Sequence, residues 1–146
     1  MREILFKAKL IDNGEWIVGS LIQAPYLGSM RSWISSEQED KARLREISSN
    51  QAVFRAFEVR NDTICQYTGL KDKNGNLIWE NDIVGFWDTY STENGHAEMD
   101  CIGKVVWDDE TISFQVTNRL SAESYEVLDE CIVIGNIFDN QELMNE

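Results

Sequence analysis

A single histidine, His96, is the residue that any nucleophilic triad in this chain would have to use. It comes directly after Asn94 and Gly95, and Asn-Gly between alternating apolar residues predicts the turn of a β-hairpin. A side chain near a hairpin tip lacks the packed surroundings that hold a catalytic base in place. We therefore expect no Ser-His-Asp or Cys-His chemistry, and we assign His96 no catalytic role.

Carboxylates offer two further candidate sites. The run Asp108-Asp109-Glu110 could ligate a hard cation, because such cations prefer oxygen ligands, and Asp100, Asp108 and Asp109 could form a metal-dependent hydrolase site. The run also lies between two predicted strands, where acidic residues commonly form a polar loop tip. Residues 72–76 have the composition of a calcium loop, but Leu77 stands where that loop needs glycine and Ile83 where it needs glutamate. We predict turns at both places and no cofactor, and the hydrolase stays an open alternative.

The three cysteines predict packing rather than chemistry. Cys65, Cys101 and Cys131 are odd in number and widely spaced, without a Cys-x-x-Cys pair. This pattern indicates neither a disulfide framework nor a zinc site. Each lies in an apolar, strand-like stretch, so we expect buried, reduced side chains.

Length and hydropathy place the chain among water-soluble proteins of one domain, or of one domain with a subdomain. It has 146 residues, 42% of them hydrophobic, which is ordinary globular composition. No apolar run approaches the roughly 18 residues of a membrane span. Charges interrupt the first seven residues, which disfavours a signal peptide. We expect a cytoplasmic protein with no membrane partner and no small-molecule substrate.

Charge divides the chain near residue 60. Residues 1–60 hold nine lysines and arginines against eight acids, whereas residues 61–146 hold four against 18. The second region should repel nucleic acid, although such an acidic surface could also imitate DNA and occupy a DNA-binding protein of the host. We predict two regions, 1–60 and 61–146, and expect that nucleic acid is not the partner.

Turn and alternation signals indicate a mostly β protein of the β-rich α+β class. Asn-Gly pairs at 13–14, 74–75 and 94–95 predict three hairpins, and residues 83–90 should pair with residues 96–107. Residues 112–116 alternate between apolar and polar side chains, as a half-buried strand does. Residues 131–137 are uniformly apolar up to Gly135, which predicts a fully buried strand.

One helical insertion is predicted among the N-terminal antiparallel strands, at about residues 36–48. Ser36 and Glu39 form a capping box, and oppositely charged pairs follow at i,i+4 spacing. Its apolar stripe is narrow, which is typical of a surface helix. A helical turn capped by Asp139 is predicted at residues 141–144, and residues 119–129 are ambiguous between loop and helix.

A candidate interface lies around this predicted helix. Most of the five tryptophans occupy strand positions that suit a core, but Trp33 precedes the helix, beside Met30 and Arg31. An exposed aromatic next to methionine and arginine is typical of a protein interface. The predicted interface residues are Trp33, Lys41, Leu44 and Arg45.

Three blocks of the sequence carry a family resemblance. They are REILFKAK with NGEWIVG (residues 2–9 and 13–19), TICQYTGLKDKNG with IWENDIV (63–75 and 78–84), and VIGNIFDN with EL (133–140 and 142–143). In order and spacing they resemble the YopX family of bacteriophage and prophage proteins. Asn81 stands where the family usually has glycine and Gln141 where proline is common. Neither change threatens the fold, since Asn tolerates left-handed backbone and Pro there only favours a helix start.

The resemblance implies a mostly β protein whose C-terminal part forms a small SH3-like β-barrel. It implies no known activity, so it supplies no functional residues. We expect a non-enzymatic phage or prophage protein that binds another protein or itself as a homo-oligomer. The alternatives are a nucleic-acid-binding barrel and an acidic DNA mimic acting on a host DNA-binding protein.

Overall fold

The computed structural model describes residues 2–36, 45–48, 51–53, 55–92, 95–120, 124–127 and 130–145. It divides into two compact units, Met1–Gln66 and Tyr67–Glu146. The strands are β1 Phe6–Lys9, β2 Trp16–Tyr26, β3 Ser29–Ser35, β4 Arg45–Ser48, β5 Gln51–Val53, β6 Phe57–Val59, β7 Cys65–Lys71, β8 Leu77–Trp79, β9 Asp82–Thr92, β10 Gly95–Asp108, β11 Ser113–Asn118, β12 Ser124–Glu126 and β13 Ile132–Asn136. Two short 3-10 helices span Asn61–Thr63 and Gln141–Met144. The predicted mostly β composition is therefore confirmed.

The first unit is built on an antiparallel sheet in the order β6-β3-β2-β1, and the start of β7 pairs with β1. Alternate side chains of these strands point to one face, because successive residues of a strand face opposite ways. They meet in an apolar cluster whose buried members are Ala8, Ile17, Ile34 and Val59. Amphipathic alternation in the described strands thus produces this core.

The hairpins predicted from the Asn-Gly pairs form. β1 pairs with β2, and β9 pairs with β10 up to Thr92 opposite Gly95. In the first hairpin Gly14 adopts left-handed backbone with a φ of 73°, whereas Asn13 does not have a positive φ. The Asn13 side chain instead accepts a hydrogen bond from the Glu15 N–H at 2.9 Å. The two strands are therefore joined by a longer loop, residues 10–15, and not by the two-residue turn that an Asn-Gly pair favours.

The predicted helix at residues 36–48 is wrong over its last four positions. Arg45–Ser48 is strand β4, which pairs with β5, and residues 37–44 lie outside the described residues. The helix prediction depended on i,i+4 charge pairs worth only about 0.2–0.5 kcal/mol each. Such local terms are easily outweighed by pairing with a neighbouring strand.

The second unit contains a five-stranded antiparallel sheet in the order β12-β11-β10-β9-β13, and the later part of β7 pairs with β8. Its buried apolar cluster lies against one face of the sheet. The members of this cluster are Ile78, Val84, Val105, Val116, Val127 and Cys131.

The SH3-like barrel is not confirmed, because the two edge strands β12 and β13 do not pair within the described residues. The edge of β13 is already engaged. The carbonyl of Cys131 accepts a hydrogen bond from the Lys73 N–H at 3.0 Å, and the Val133 N–H donates to Asp72 at 2.9 Å. The sheet therefore stays open.

The last strand also differs from its prediction as fully buried. Ile132 and Ile134 are 39% and 41% exposed, whereas Cys131 is buried. The register with β9 shifts between Val133 and Gly135, as at a β-bulge. The side chains of β13 alternate between the two faces of the sheet, so only one set of them reaches the core, although nearly all residues of the strand are apolar.

Three smaller predictions concern turns. Asn81 has a φ of 70°, so it adopts the left-handed backbone expected where the family has glycine. The helical turn at Gln141–Met144 is confirmed as a 3-10 helix, but Asn140 precedes it and Asp139 does not cap it. The ambiguous stretch 119–129 contains strand β12, and its residues 121–123 and 128–129 lie outside the described residues.

Replacement of two glycines of the five-stranded sheet with alanine should have different effects on the free energy of unfolding. A Cβ on Gly103 would lie 2.5 Å from the Thr117 carbonyl oxygen, whereas the nearest atom to a Cβ on Gly85 is the Cys101 oxygen at 3.9 Å. Gly103→Ala should lower the free energy of unfolding by roughly 1–3 kcal/mol through overpacking. Gly85→Ala should leave it unchanged or raise it by up to about 1 kcal/mol. Urea unfolding followed by tryptophan fluorescence measures both, and equal losses would contradict the assigned packing.

Candidate functional site

An open groove of about 780 Å³ lies on the second unit, where β9, β10 and β13 run side by side. Its position follows from strand alternation. Val84 and Val133 pack with the core, so Gly85 and Ile132 face the opposite side of the sheet. The residues that line the groove are Asp72, Lys73, Gly85, Phe86, Trp87, Ile102, Glu130, Ile132 and Ile134.

Gly85 forms the floor of the groove. Strand register places it between Ile102 on β10 and Ile132 on β13. A residue without a side chain between two isoleucines leaves a depression one side chain deep. Open space above Gly85 is consistent with this, since a Cβ there would meet only one atom, at 3.9 Å.

Trp87 forms the largest exposed apolar surface of the groove. It follows Gly85 by two positions on β9, and 67% of its surface is accessible. Ile132 and Ile134 extend this apolar surface along β13. A soluble protein gains free energy by burying such side chains, so a cluster of exposed ones usually marks a contact surface.

Asp72 supports one side of the groove. Its Oδ1 accepts hydrogen bonds from the Asn74 and Asn76 N–H groups at 2.9 and 2.8 Å. Its Oδ2 accepts from the Val133 N–H at 2.9 Å and from the Asn76 side-chain amide at 3.3 Å. The carboxylate thus closes the 72–76 turn, as predicted from the sequence, and fastens this turn to β13.

The pKa of Asp72 reflects this arrangement. Burial alone would raise the pKa, because it penalises the charged form, but the hydrogen bonds from Val133, Asn76 and Asn74 favour the carboxylate. Their combined effect is larger, and the pKa lies below its ordinary value of 3.8. Asp72 is therefore an anion at neutral pH, and its role is to hold backbone N–H groups in place.

The interface predicted around Trp33 is only partly covered by the structure. Trp33 lies in the middle of β3, half-buried, opposite Ile22 and Glu58. Arg31 forms a two-pronged ion pair with Glu58, at 2.7 and 3.1 Å. Lys41 and Leu44 lie outside the described residues, and Arg45 belongs to β4. The predicted interface thus stays a prediction.

The other residues considered for catalysis or metal binding lie apart from the groove or in the β9–β10 hairpin beside it. His96 and Asp100 occupy β10, at the register positions opposite Ser91 and Trp87. Asp109 accepts a hydrogen bond from the Trp107 indole at 2.8 Å, and Asp108 accepts one from the Glu110 N–H at 2.9 Å. Within the described ranges, no three His, Cys, Asp or Glu side chains are grouped as metal ligands.

The three cysteines are buried and carry reduced thiols, as predicted from their apolar surroundings. Sequence reasoning missed the groove residues themselves. The sequence predicts that most strand tryptophans lie in the core, whereas Trp87 is exposed, and Ile132 and Ile134 belong to a strand predicted to be fully buried. The available signal was Gly85, because a glycine inside a strand often marks a close approach or an open position.

The fold and the groove define a two-unit antiparallel β protein whose second unit carries a surface groove lined by apolar and charged residues. The YopX protein family matches residues 5–145, so the chain belongs to the YopX family. Among solved structures, the crystal structure of protein EF1440 from Enterococcus faecalis is similar, with a TM-score of 0.54 and 23% identity, over 99% of this chain and 100% of that one. This likeness shows the fold alone. None of the curated proteins compared with the chain matches it.

Among the described residues, no helix has both the length and the apolar character that crossing a bilayer requires.

Asp72→Asn should destabilise the second unit. The new amide nitrogen would face the Val133 N–H or the loop N–H groups, leaving at least one buried donor without an acceptor, at a cost of about 1–3 kcal/mol. Because the folded-state pKa of Asp72 is lowered, its stabilisation is complete above the unfolded-state pKa and is lost as pH falls through the folded value. The gap in unfolding free energy between wild type and variant should therefore be constant above about pH 5 and narrow below about pH 4.

Asp62→Asn serves as the control for that experiment, since Asp62 is exposed and lies in the first unit. It should change the free energy of unfolding by less than about 0.5 kcal/mol at any of these pH values. Urea titrations at several pH values measure both variants. A pH-independent gap for Asp72→Asn would show that the carboxylate charge does not hold the turn.

Proposed function

We propose that this YopX-family protein acts by binding another protein through the groove, and that it catalyses no reaction of its own. The observation that carries the proposal is the exposed indole of Trp87 beside Ile132 and Ile134. Large aromatic side chains at a concave apolar surface are typical anchors of protein interfaces. The family resemblance supports a phage or prophage origin and action in the bacterial cytoplasm.

Burial of this surface would contribute favourable free energy to a protein contact. A tryptophan exposes roughly 150–250 Å², and burial contributes about 25 cal/mol per Å². Covering the accessible two-thirds of Trp87 would contribute roughly 3 kcal/mol. The two isoleucines add to this, which favours a partner that presents apolar side chains.

Charge favours a protein partner over nucleic acid. Residues 67–146 hold four lysines and arginines against 17 acids, whereas residues 1–66 hold nine of each. A surface with this excess of negative charge repels a phosphate backbone. The same charge supports a second candidate function, in which the second unit imitates DNA and occupies a DNA-binding protein of the host.

Self-association is the other form of the proposal, in which the groove meets a second copy of the chain. The high negative charge of the second unit opposes contact between two identical grooves. A homo-oligomer would therefore have to use the groove against a different surface. Solution mass separates this form from binding to a different protein, because a homo-oligomer forms without any added partner.

The experiment is affinity capture by tagged protein from a bacterial lysate divided into nuclease-treated and untreated halves, with Trp87→Ala and Gly85→Leu compared with wild type. We expect a protein that wild type retains and that both variants lose, since one removes the anchor and the other fills the groove. Trp107→Ala is the matched control, because Trp107 is exposed but is not among the groove-lining residues. Circular dichroism checks that every variant is folded.

Three results would change the proposal. Capture that disappears after nuclease treatment would indicate that the protein binds nucleic acid and not another protein. Capture that survives Trp87→Ala but is lost with Trp33→Ala would move the interface to the first unit. Capture of a DNA-binding protein that DNA displaces would favour the DNA mimic.

A further inference from the structure

We propose that the groove of one copy of this chain receives the tip of the β2–β3 hairpin of a second copy, with Leu27 of that hairpin over Gly85. This inference rests on the proposed function and names the occupant of the groove in its self-associating form. The tip, residues 24–31, is called the β2–β3 arm. Three features of the arm support the inference: it projects from its sheet, its end is strained and apolar, and it carries no net charge.

The β2–β3 arm extends beyond the strands on either side of it. β1 pairs with β2 only at residues 16–19, and β6 pairs with β3 only at residues 32–34. Residues 24–26 and 29–31 pair with each other and with no other strand in the described part of the chain. The arm therefore stands out from the sheet of the first unit as a two-stranded hairpin.

The base of the arm is held in place by side chains, although its tip is exposed. The Asn61 side-chain amide donates a hydrogen bond to the Met30 carbonyl at 2.9 Å, and Arg31 forms an ion pair with Glu58 at 2.7 Å. The Arg31 guanidinium also lies over the Tyr26 ring, 4.8 Å from its centroid. A segment that is ordered before it binds loses less conformational entropy on binding.

The end of the arm is both strained and apolar. Tyr26 pairs with Ser29, so Leu27 and Gly28 form a two-residue turn, with φ values of 50° and 85°. Positive φ at both positions favours Asn-Gly, and leucine is disfavoured there. Leu27 is also 90% exposed. Neither the strained backbone nor the exposed side chain stabilises the free chain, so contact with a partner accounts for leucine at this position.

The arm is suited to contact through its side chains and not by pairing as an edge strand. Pro25 has no N–H to donate to an added strand. Tyr26 and Met30 are 50% and 53% exposed, and strand alternation places them on opposite faces of the arm. With Leu27 at its end, the arm forms a wedge with apolar side chains on both faces and at the tip.

The groove of the second unit is complementary to this wedge. Gly85 leaves a depression one side chain deep between Ile102 and Ile132, and Leu27 would fill it. One face of the arm would then lie against the exposed indole of Trp87. The contact would remove from water the apolar side chains that the free chain exposes on both surfaces, which is favourable.

Charge permits this contact and opposes the symmetric alternative. Residues 16–35 contain no acid and a single cation, Arg31, which is paired with Glu58. Residues 67–146 hold four lysines and arginines against 17 acids. Two such acidic units repel each other, whereas the arm brings no negative charge to the groove. The contact is therefore heterologous, and each copy offers its arm to one neighbour and its groove to another.

The first part of the test measures the mass of the full chain by sedimentation equilibrium, from about 1 µM to about 1 mM. Wild type should form closed rings or longer chains as its concentration rises, because heterologous contacts repeat. Leu27→Asn and Gly85→Leu should each weaken self-association at least about tenfold. Leu27→Asn should also leave the melting temperature unchanged or raise it, since Asn-Gly suits this turn. Circular dichroism checks the fold of Gly85→Leu, and Trp87→Ala is a second groove variant.

Mixing the two variants is the decisive experiment. Leu27→Asn keeps its groove and Gly85→Leu keeps its arm, so the pair retains one intact contact. The mixture should form a complex of one copy of each variant and no larger species. Ile11→Asn and Trp107→Ala are the controls and should associate as wild type does. Both residues are exposed and apolar but lie outside the arm and outside the groove lining.

The outcomes separate this inference from the proposed function. A chain that stays monomeric at every concentration, while lysate capture depends on Trp87, would show that the groove binds a different protein and that the second copy is not its occupant. Complex formation by the two variants without any lysate capture would support the second copy and contradict a different protein partner.

Two further results would overturn the assigned contact. Self-association that Gly85→Leu loses and Leu27→Asn retains would indicate contact between two grooves. Self-association that only Leu27→Asn loses would place the arm on another surface. In both cases the mixture of variants would form no complex limited to one copy of each.

Discussion

The carboxylate of Asp72 collects four hydrogen bonds, and much of the second unit depends on them. Those from Asn74 and Asn76 close the turn between β7 and β8. The one from Val133 binds that turn to the edge of β13, more than sixty residues later in the chain. Because the turn occupies this edge, the sheet has no free strand there with which to close into a barrel. The same contact places the turn beside the groove, so one buried anion links the topology to the candidate site.

The groove is a consequence of how an antiparallel sheet distributes its side chains. Val84 and Val133 complete the core, so their neighbours must face the other way. Gly85 contributes no side chain, and a bulge in β13 lies next to it. The apolar side chains on this face of the sheet point away from the core, so the core does not bury them. Burying these side chains against a partner would be favourable because it removes apolar surface from water, which is why the functional proposal is based on the groove.

Short sequence patterns predicted the features of this fold that depend on interactions between residues close together in the chain. Asn-Gly pairs located the hairpins, and Asn81 adopts the left-handed backbone that its place in the family implies. The helix prediction at residues 36–48 failed over β4, because capping and charge pairs are weak beside strand pairing. The groove was not predicted, since the apolar residues on both faces of β13 conceal its alternation.

The sequence by itself determined the β content, the hairpin pairing, the buried cysteines, the excess of acids after residue 60 and the membership of the YopX family. These features follow from residue type, spacing and composition, which do not depend on distant contacts. The tertiary structure alone decided that the sheet stays open, that Asp72 bonds to Val133, and that Trp87 is exposed beside Gly85. Each of these requires residues far apart in the chain to meet, and burial is a property of the packed sheet, not of a single strand.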